Sequence, residues 1–253
     1  MSHGIGTIFF TITSTTFITE NETFRNNSAK YGGRITPEKS FLNLTQSIAF
    51  RRNNTGKYGG GIYAYNSSLN STRNSTFGEN SAEYGGGISA SNSIINFTGS
   101  STFTDNTAEH DGGGINVVNC TLISSASNTF RDNSARHSGG AISAYSSALN
   151  FTGNNTFRGN SAKNGGGISV YNGTLLHTGN SSFRNNSAIH SGGGIQVIHS
   201  SMVFTGVYHY INNTARIFGG GISLEYSTLK FTQGNIFFSQ TTQLLDLVEV
   251  LMQ

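Results

Sequence analysis

The fold is decided by a short stretch from Phe130 to Tyr145, which reads FRDNSARHSGGAISAY. It opens on an aromatic residue, places an asparagine three positions later and closes on a Gly-Gly-Ala-Ile run followed by alternating polar and apolar residues. The same pattern recurs along most of the chain at intervals of 26 or 27 residues. Periods in this range are typical of solenoids and other repeat architectures. The chain is therefore an array of similar units.

Each repeat contains three short bursts of alternating apolar and polar residues, which indicate half-buried strands. A unit this short cannot bury its own apolar face, so neighbouring units must stack. With no helical segment in any repeat, the sequence predicts an all-β parallel β-helix with three strands per rung and eight to nine rungs. The isoleucines that close the glycine runs then form an inward ladder, which includes Ile88, Ile115, Ile142, Ile168, Ile195 and Ile222.

A second row consists of asparagines three positions after the aromatic residue. Stacked amides can donate and accept hydrogen bonds along the axis, so they can satisfy backbone groups in a buried turn. The glycine run that follows permits positive φ angles and close backbone approach. We interpret both rows as structural rather than chemical. The predicted asparagine ladder contains Asn80, Asn106, Asn133, Asn160, Asn186 and Asn213.

Composition excludes several classes of function. The net charge is only +3 and no run of Lys or Arg occurs, so we expect no nucleic-acid partner. A lone cysteine rules out an internal disulfide framework and a cysteine-based metal site. No apolar run approaches the roughly 18 residues of a transmembrane helix, and the N-terminus is a poor signal peptide. We predict no cofactor and no metal site.

The motifs GGAI at Gly139–Ile142 and FxxN at Phe130–Asn133 resemble the repeats of the chlamydial polymorphic outer membrane proteins. The resemblance covers about residues 24–237. It implies a right-handed parallel β-helix of the pectin-lyase-like type, displayed on a cell surface and adhesive towards host cells. An extracellular or cell-surface location, including an outer membrane, follows from the resemblance and not from composition.

The sequence divides into three parts. Residues 1–23 are predicted to form an N-terminal cap or a degenerate rung, and residues 24–237 the β-helix itself. Residues 238–253 form a tail in which Leu244, Leu247, Val248 and Leu251 have helical spacing. This spacing predicts a helical cap over the last rung, with an irrelevant end as the alternative.

Acidic residues supply the case for catalysis. Glu79, Asp105 and Asp132 occupy the same repeat position on three successive rungs. The resemblance to pectin-lyase-like enzymes and the chemistry of close carboxylates, which can act as acid and base, suggest a polysaccharide lyase or a glycoside hydrolase. Two further carboxylates, Glu83 and Glu109, stack at another repeat position. Basic residues flank them in that row, namely Lys57, Arg136 and Lys163, so surface charge pairs in a turn explain them without catalysis, and we favour the non-catalytic interpretation.

Other surface features suggest binding rather than chemistry. Tyr145 and Tyr171 are expected to face outward on adjacent rungs, where they could stack on sugar rings. His110 and His137 are adjacent polar turn residues, for which a two-histidine metal site is the less favoured interpretation. Fifteen Asn-X-Ser/Thr sequons suit a secreted glycoprotein of a eukaryote. Four of them share one outward row, namely Asn43, Asn70, Asn96 and Asn150.

The sequence therefore predicts a non-enzymatic structural or adhesion module of an extracellular or cell-surface protein. Its flat polar faces would be presented to a cell-surface protein or an extracellular glycan. The carboxylate enzyme is the alternative, and a degenerate fragment with no role of its own is a third hypothesis.

Overall fold

The computed structural model describes residues 10–12, 14–30, 35–232, 234–241 and 245–248, with side chains from residue 14 to residue 241. The described chain winds into a parallel β-helix of about eight coils, whose strands stack into long parallel sheets. This confirms the predicted architecture of three strands per rung. Eight rungs add a fourth strand, of two to five residues, that the sequence pattern did not indicate.

The strands belong to four sheets, named here in the order in which the chain visits them. The first sheet contains Phe10–Ile12, Ile35–Pro37, Ile62–Tyr65, Ile88–Ser91, Ile115–Val118, Ile142–Tyr145, Ile168–Tyr171, Ile195–Ile198, Ile222–Glu225 and Leu245–Val248. The second sheet contains Thr16–Ile18, Phe41–Leu44, Ser68–Ser71, Ile94–Phe97, Thr121–Ser124, Ala148–Phe151, Thr174–His177, Ser201–Phe204 and Thr228–Phe231. The third sheet contains Glu22–Arg25, Ile48–Arg51, Ser75–Gly78, Thr102–Thr104, Thr129–Arg131, Asn155–Arg158, Ser181–Arg184, Tyr208–Ile211 and Ile236–Ser239. The fourth sheet contains Ser28–Ala29, Asn54–Thr55, Ser81–Tyr84, Thr107–Asp111, Ser134–Ala135, Ser161–Asn164, Ser187–Ser191 and Thr214–Ala215.

The core consists of ladders of like side chains, because each rung packs on its own near copy. The isoleucine of every glycine run from Ile35 to Ile222 is at most 2% exposed. The phenylalanines of the third sheet stack face to face, for example Phe77 on Phe103 with ring centroids 4.7 Å apart. Offset stacking of buried rings stabilises the rod beyond the burial of their area.

The asparagine row closes the turn between the third and fourth sheets. The Asn133 side-chain Nδ2 donates to Asn160 Oδ1 at 3.0 Å and to the Phe103 carbonyl oxygen at 3.0 Å. Its own Oδ1 accepts from the backbone N–H of Asn106 at 3.1 Å and from that residue's amide at 2.9 Å. The same arrangement repeats along the axis, so these buried amides join each rung to the next.

Two expectations at the C-terminal end are wrong. Leu245–Val248 forms a strand that pairs with Ile222–Glu225, where the sequence predicted a helical cap. Leu244 and Leu251 lie outside the described residues. Phe237 is not the last member of the inward aromatic row, because the last coil holds one more residue before its third-sheet strand. Phe238 therefore pairs with Tyr210, while Phe237 points outward and is 49% exposed.

Candidate functional site

The three aligned carboxylates lie in the turn that follows the third sheet. Glu79, Asp105 and Asp132 have φ angles of 55°, 54° and 53°. Other rungs place Asn, Arg, Gln or Gly at this left-handed position, and Asn, Asp and Gly are the residues that tolerate it best. The local backbone therefore accounts for aspartate here, independently of any chemistry.

Salt bridges with arginine also distinguish two members of this row, Glu79 and Asp132, from an acid–base pair. Glu79 Oε2 accepts from Arg52 Nε at 2.8 Å across one rung, and this hydrogen bond lowers the pKa of the Glu79 carboxyl below its ordinary value. Asp132 Oδ2 lies 3.5 Å from Arg131 Nε. A general acid needs a carboxyl whose pKa is raised towards neutrality, which burial or a second carboxylate would provide. The Glu79 environment acts in the opposite direction.

Four exposed aromatic side chains lie in one line across four consecutive rungs. We call this set the aromatic ridge, and it consists of Tyr145, Tyr171, His199 and Tyr226. The ring centroids of Tyr145 and Tyr171 are 5.2 Å apart and nearly parallel, those of Tyr171 and His199 are 5.8 Å apart and perpendicular, and those of His199 and Tyr226 are 5.1 Å apart. The two tyrosines predicted from the sequence are thus brought together, and His199 and Tyr226 extend them.

His199 and Tyr226 occupy unusual backbone positions. Their φ angles are 49° and 48°, in the left-handed region that bulky side chains avoid. The equivalent positions of several other rungs hold asparagine, for example Asn119 and Asn172. Strain of this kind costs on the order of 1 kcal/mol and clusters at functional sites. No repeat pattern singles out these two residues, because they fall one position after the row of Tyr145 and Tyr171.

Stacking within the ridge covers part of its ring faces. Tyr145 and Tyr171 stack on each other, so each occupies one face of the other ring. What remains available to a partner is largely edges and phenolic hydroxyls, which suit hydrogen bonding combined with apolar contact.

A second line of rings runs along the turn between the fourth and first sheets. Tyr63 stacks on Tyr58, and Tyr84 stacks on His110 with ring centroids 5.0 Å apart. His110 in turn stacks on His137 at 5.1 Å. The His110 Nε2 is 3.6 Å from Glu83 Oε1. Within the part of the chain that the structure describes, no group of three or more His, Cys, Asp or Glu residues is arranged to hold a metal ion.

The four aligned sequons lie on the outer face of the second sheet. Asn43, Asn70, Asn96 and Asn150 are all half-buried. The Asn70 Nδ2, to which a glycan would be attached, donates to Asn43 Oδ1 at 2.9 Å. Attachment at Asn70 would therefore break an amide pair between rungs, and glycosylation of this row stays a prediction.

Polar groups also occur inside the core, where they are closed to any partner. His177 is fully buried in a row that holds Phe151 and Phe204 on the neighbouring rungs. Its Nε2 is 2.7 Å from Ser181 Oγ, and the Tyr208 hydroxyl donates to its carbonyl oxygen. Burial lowers the pKa of His177 to about 3, so its ring is neutral at physiological pH.

Comparison with known proteins gives one family match. Residues 100–117 and 129–145 match the family model of the Chlamydia polymorphic membrane protein repeat. Both segments contain an FxxN motif and a glycine run that ends in isoleucine. The resemblance found in the sequence is confirmed, and the repeat together with the β-helix fits a surface-associated structural module.

No curated protein and no solved structure gives a significant match to the chain. Across the described residues, no helix has the length and apolar character needed to cross a membrane.

Proposed function

We propose that this chain is a non-enzymatic adhesion module of a surface-associated protein, and that the aromatic ridge is the surface that contacts a protein partner. The β-helix acts as a rigid rod that holds the ridge residues at fixed intervals. Rigid placement lowers the entropy lost on binding, which raises affinity for a given contact area.

The observation that supports this proposal is the conformation of His199 and Tyr226. Two successive rungs keep large aromatic side chains at a left-handed position where asparagine would relieve the strain. Tyr226 is 53% exposed, so burial in the core does not explain it. Tyrosine is enriched among the residues that dominate protein–protein binding energy.

An adhesion assay tests the proposal with purified protein on cultured animal cells. The ridge variant carries Y145S, Y171S, H199N and Y226N, each of which installs a residue type found at that position in other rungs. We expect cell binding by the parent and a loss of at least about tenfold in the variant, as for removal of interface hot spots.

The control variant removes similarly exposed apolar groups from another surface, which comprises the fourth sheet and the turn that follows it. It carries I189S, I217S and F218S, whose side chains are between 43% and 58% exposed. Equal loss of binding in both variants would contradict a role for the ridge. Absence of binding by the folded parent would remove adhesion from the proposal.

The non-enzymatic part of the proposal is supported by the exposure of all three carboxylates and by the arginine partners of Glu79 and Asp132. It is tested by incubating the parent and the E79A/D105A/D132A variant with neutral and acidic polysaccharides. We expect no products from either protein. Products formed by the parent and lost in the variant would establish the enzyme instead.

A further inference from the structure

A column of arginines lies on the outer face of the third sheet. Arg131, Arg158 and Arg184 end three consecutive strands and pair in register, so their side chains point outward side by side. All three are exposed. Adjacent strands lie about 4.8 Å apart, so three guanidinium groups follow the axis within about 10 Å. This column is distinct from the aromatic ridge and from the carboxylate turn.

A parallel column of hydroxyl groups accompanies the arginines. Thr129, Thr156 and Ser182 lie two positions earlier on the same three strands and face the same side. The Arg184 Nε donates to Ser182 Oγ at 2.8 Å, which holds the side chain along the sheet surface. Its terminal nitrogens form no hydrogen bond within the described structure. They are therefore available to an external anion.

At the C-terminal end of the column, no neighbouring acidic residue balances the positive charge of the arginines. The neighbouring turn row contains Asp132, which pairs with Arg131 at 3.5 Å, but changes to Gly159 beside Arg158 and to Asn185 beside Arg184. Among the described residues, neither Arg158 nor Arg184 forms an ion pair. Like charges on adjacent strands destabilise a sheet, so the column carries a cost that an anion would remove.

We infer that this face binds an anionic polysaccharide, with its sulfate or carboxylate groups lying along the arginine column. Guanidinium groups bind such oxyanions through paired hydrogen bonds, and the threonine and serine hydroxyls can bond to sugar hydroxyls between them. A linear polymer with charges at short intervals matches a straight column on a flat sheet. The inference does not depend on the ridge, since it concerns a different face of the rod.

Single-stranded nucleic acid is the competing polyanion, and the structure favours it less. Proteins that bind it combine a basic groove with aromatic side chains on which the bases stack. On the three strands that carry the arginines, the other outward side chains are those of Thr129, Thr156 and Ser182. This row continues into the stacked, exposed rings of His209 and Phe237, but both lie beyond Arg184, so no aromatic side chain lies between the arginines.

Heparin binding measured by calorimetry at physiological salt tests the inference. The test variant is R131T/R158T/R184T, because Thr104 naturally occupies this column in the preceding rung. The charge-matched control is R73S/R136S/R216S, which removes three exposed arginines from turns outside this face. We expect the parent to bind, the test variant to lose at least about tenfold in affinity, and the control to lose less than about threefold. Far-UV circular dichroism verifies that all three proteins are folded.

The possible outcomes separate the explanations. No binding by the parent, or equal losses in the two variants, would overturn the inference. Displacement of heparin by an equal charge concentration of single-stranded DNA would show general polyanion binding and also overturn it. Because heparin binding is measured without cells, failure here leaves the ridge proposal intact, and failure of the adhesion assay leaves this one intact.

Discussion

Replacing Asn133 with alanine removes four hydrogen bonds from the middle of the asparagine ladder. The buried Asn106 N–H loses its acceptor and the Phe103 carbonyl loses a donor, and each buried group left unpaired costs about 1–3 kcal/mol. We expect the free energy of unfolding to fall by about 4 kcal/mol. That is a large share of the roughly 5–15 kcal/mol that stabilises a typical domain.

Urea denaturation measures this loss, followed by far-UV circular dichroism and by tyrosine fluorescence, since the chain has ten tyrosines and no tryptophan. Agreement of the two signals is required because stacked repeats can unfold in parts. The control is Asn96→Ala, on the outer face of the second sheet, where the Asn96 side chain makes no hydrogen bond in the described structure. It should cost less than about 0.5 kcal/mol. If the loss of unfolding free energy for Asn133→Ala is within about 1 kcal/mol of that for the control, the ladder does not stabilise the rod through these hydrogen bonds.

Three further predictions follow from single positions. The pKa of His177 is about 3, below the 6.5 of the unfolded chain, so its contribution to stability is complete above pH 6.5 and is lost by roughly 1 kcal/mol per pH unit as the pH falls towards 3. Thermal melts across this range should show a melting temperature that falls with pH in the parent and falls less in His177→Phe. An identical pH dependence in the two proteins would contradict this role of His177. Gly140→Ala should cost more than about 2 kcal/mol in urea titrations, because a Cβ would lie 2.3 Å from a carbonyl oxygen of the next rung. A Cβ at Gly167 would also lie close to a carbonyl oxygen, at 2.5 Å from that of Gly194. Gly167→Ala should nevertheless cost less than Gly140→Ala, because Ala141 occupies the equivalent position one rung earlier, and a reversed order would refute the argument. Tyr226→Asn should raise the free energy of unfolding by about 0.5–1 kcal/mol by relieving a left-handed tyrosine, and a destabilised variant would show that the ring supports the fold.

The inward rows could be predicted from the sequence because stacking makes every rung part of its neighbour's environment. An isoleucine that packs on an isoleucine above and below constrains all three, so the row repeats visibly at a fixed interval. Ile115, for example, pairs with Ile88 and Ile142. The sequence does not indicate the fourth strand, because four of its eight members, such as Ser134–Ala135, have only two residues and cannot show alternation.

The last rung shows where regular spacing misleads. Counting from Ile222 assigns Phe237 to the inward row, but an additional residue near Gly234 shifts the strand by one position. A one-residue shift moves every side chain of a strand to the opposite face. Two adjacent phenylalanines fit either choice equally well in sequence, so only the paired backbone distinguishes them.

Outward rows follow a different rule, and for this reason neither the aromatic ridge nor the arginine column could be predicted in full from the sequence. A side chain in solvent does not have to match the rung above it, so chemical character changes along a row, as when Thr104 gives way to Arg131. Three arginines separated by whole rungs do not form a basic run, and the low net charge conceals them. Once the strands are in register, the same residues form a continuous charged column. In a rod of this kind, the chemistry of an outward face is therefore set by the residues of one column read across rungs, and single-position variants that leave the core intact can change it.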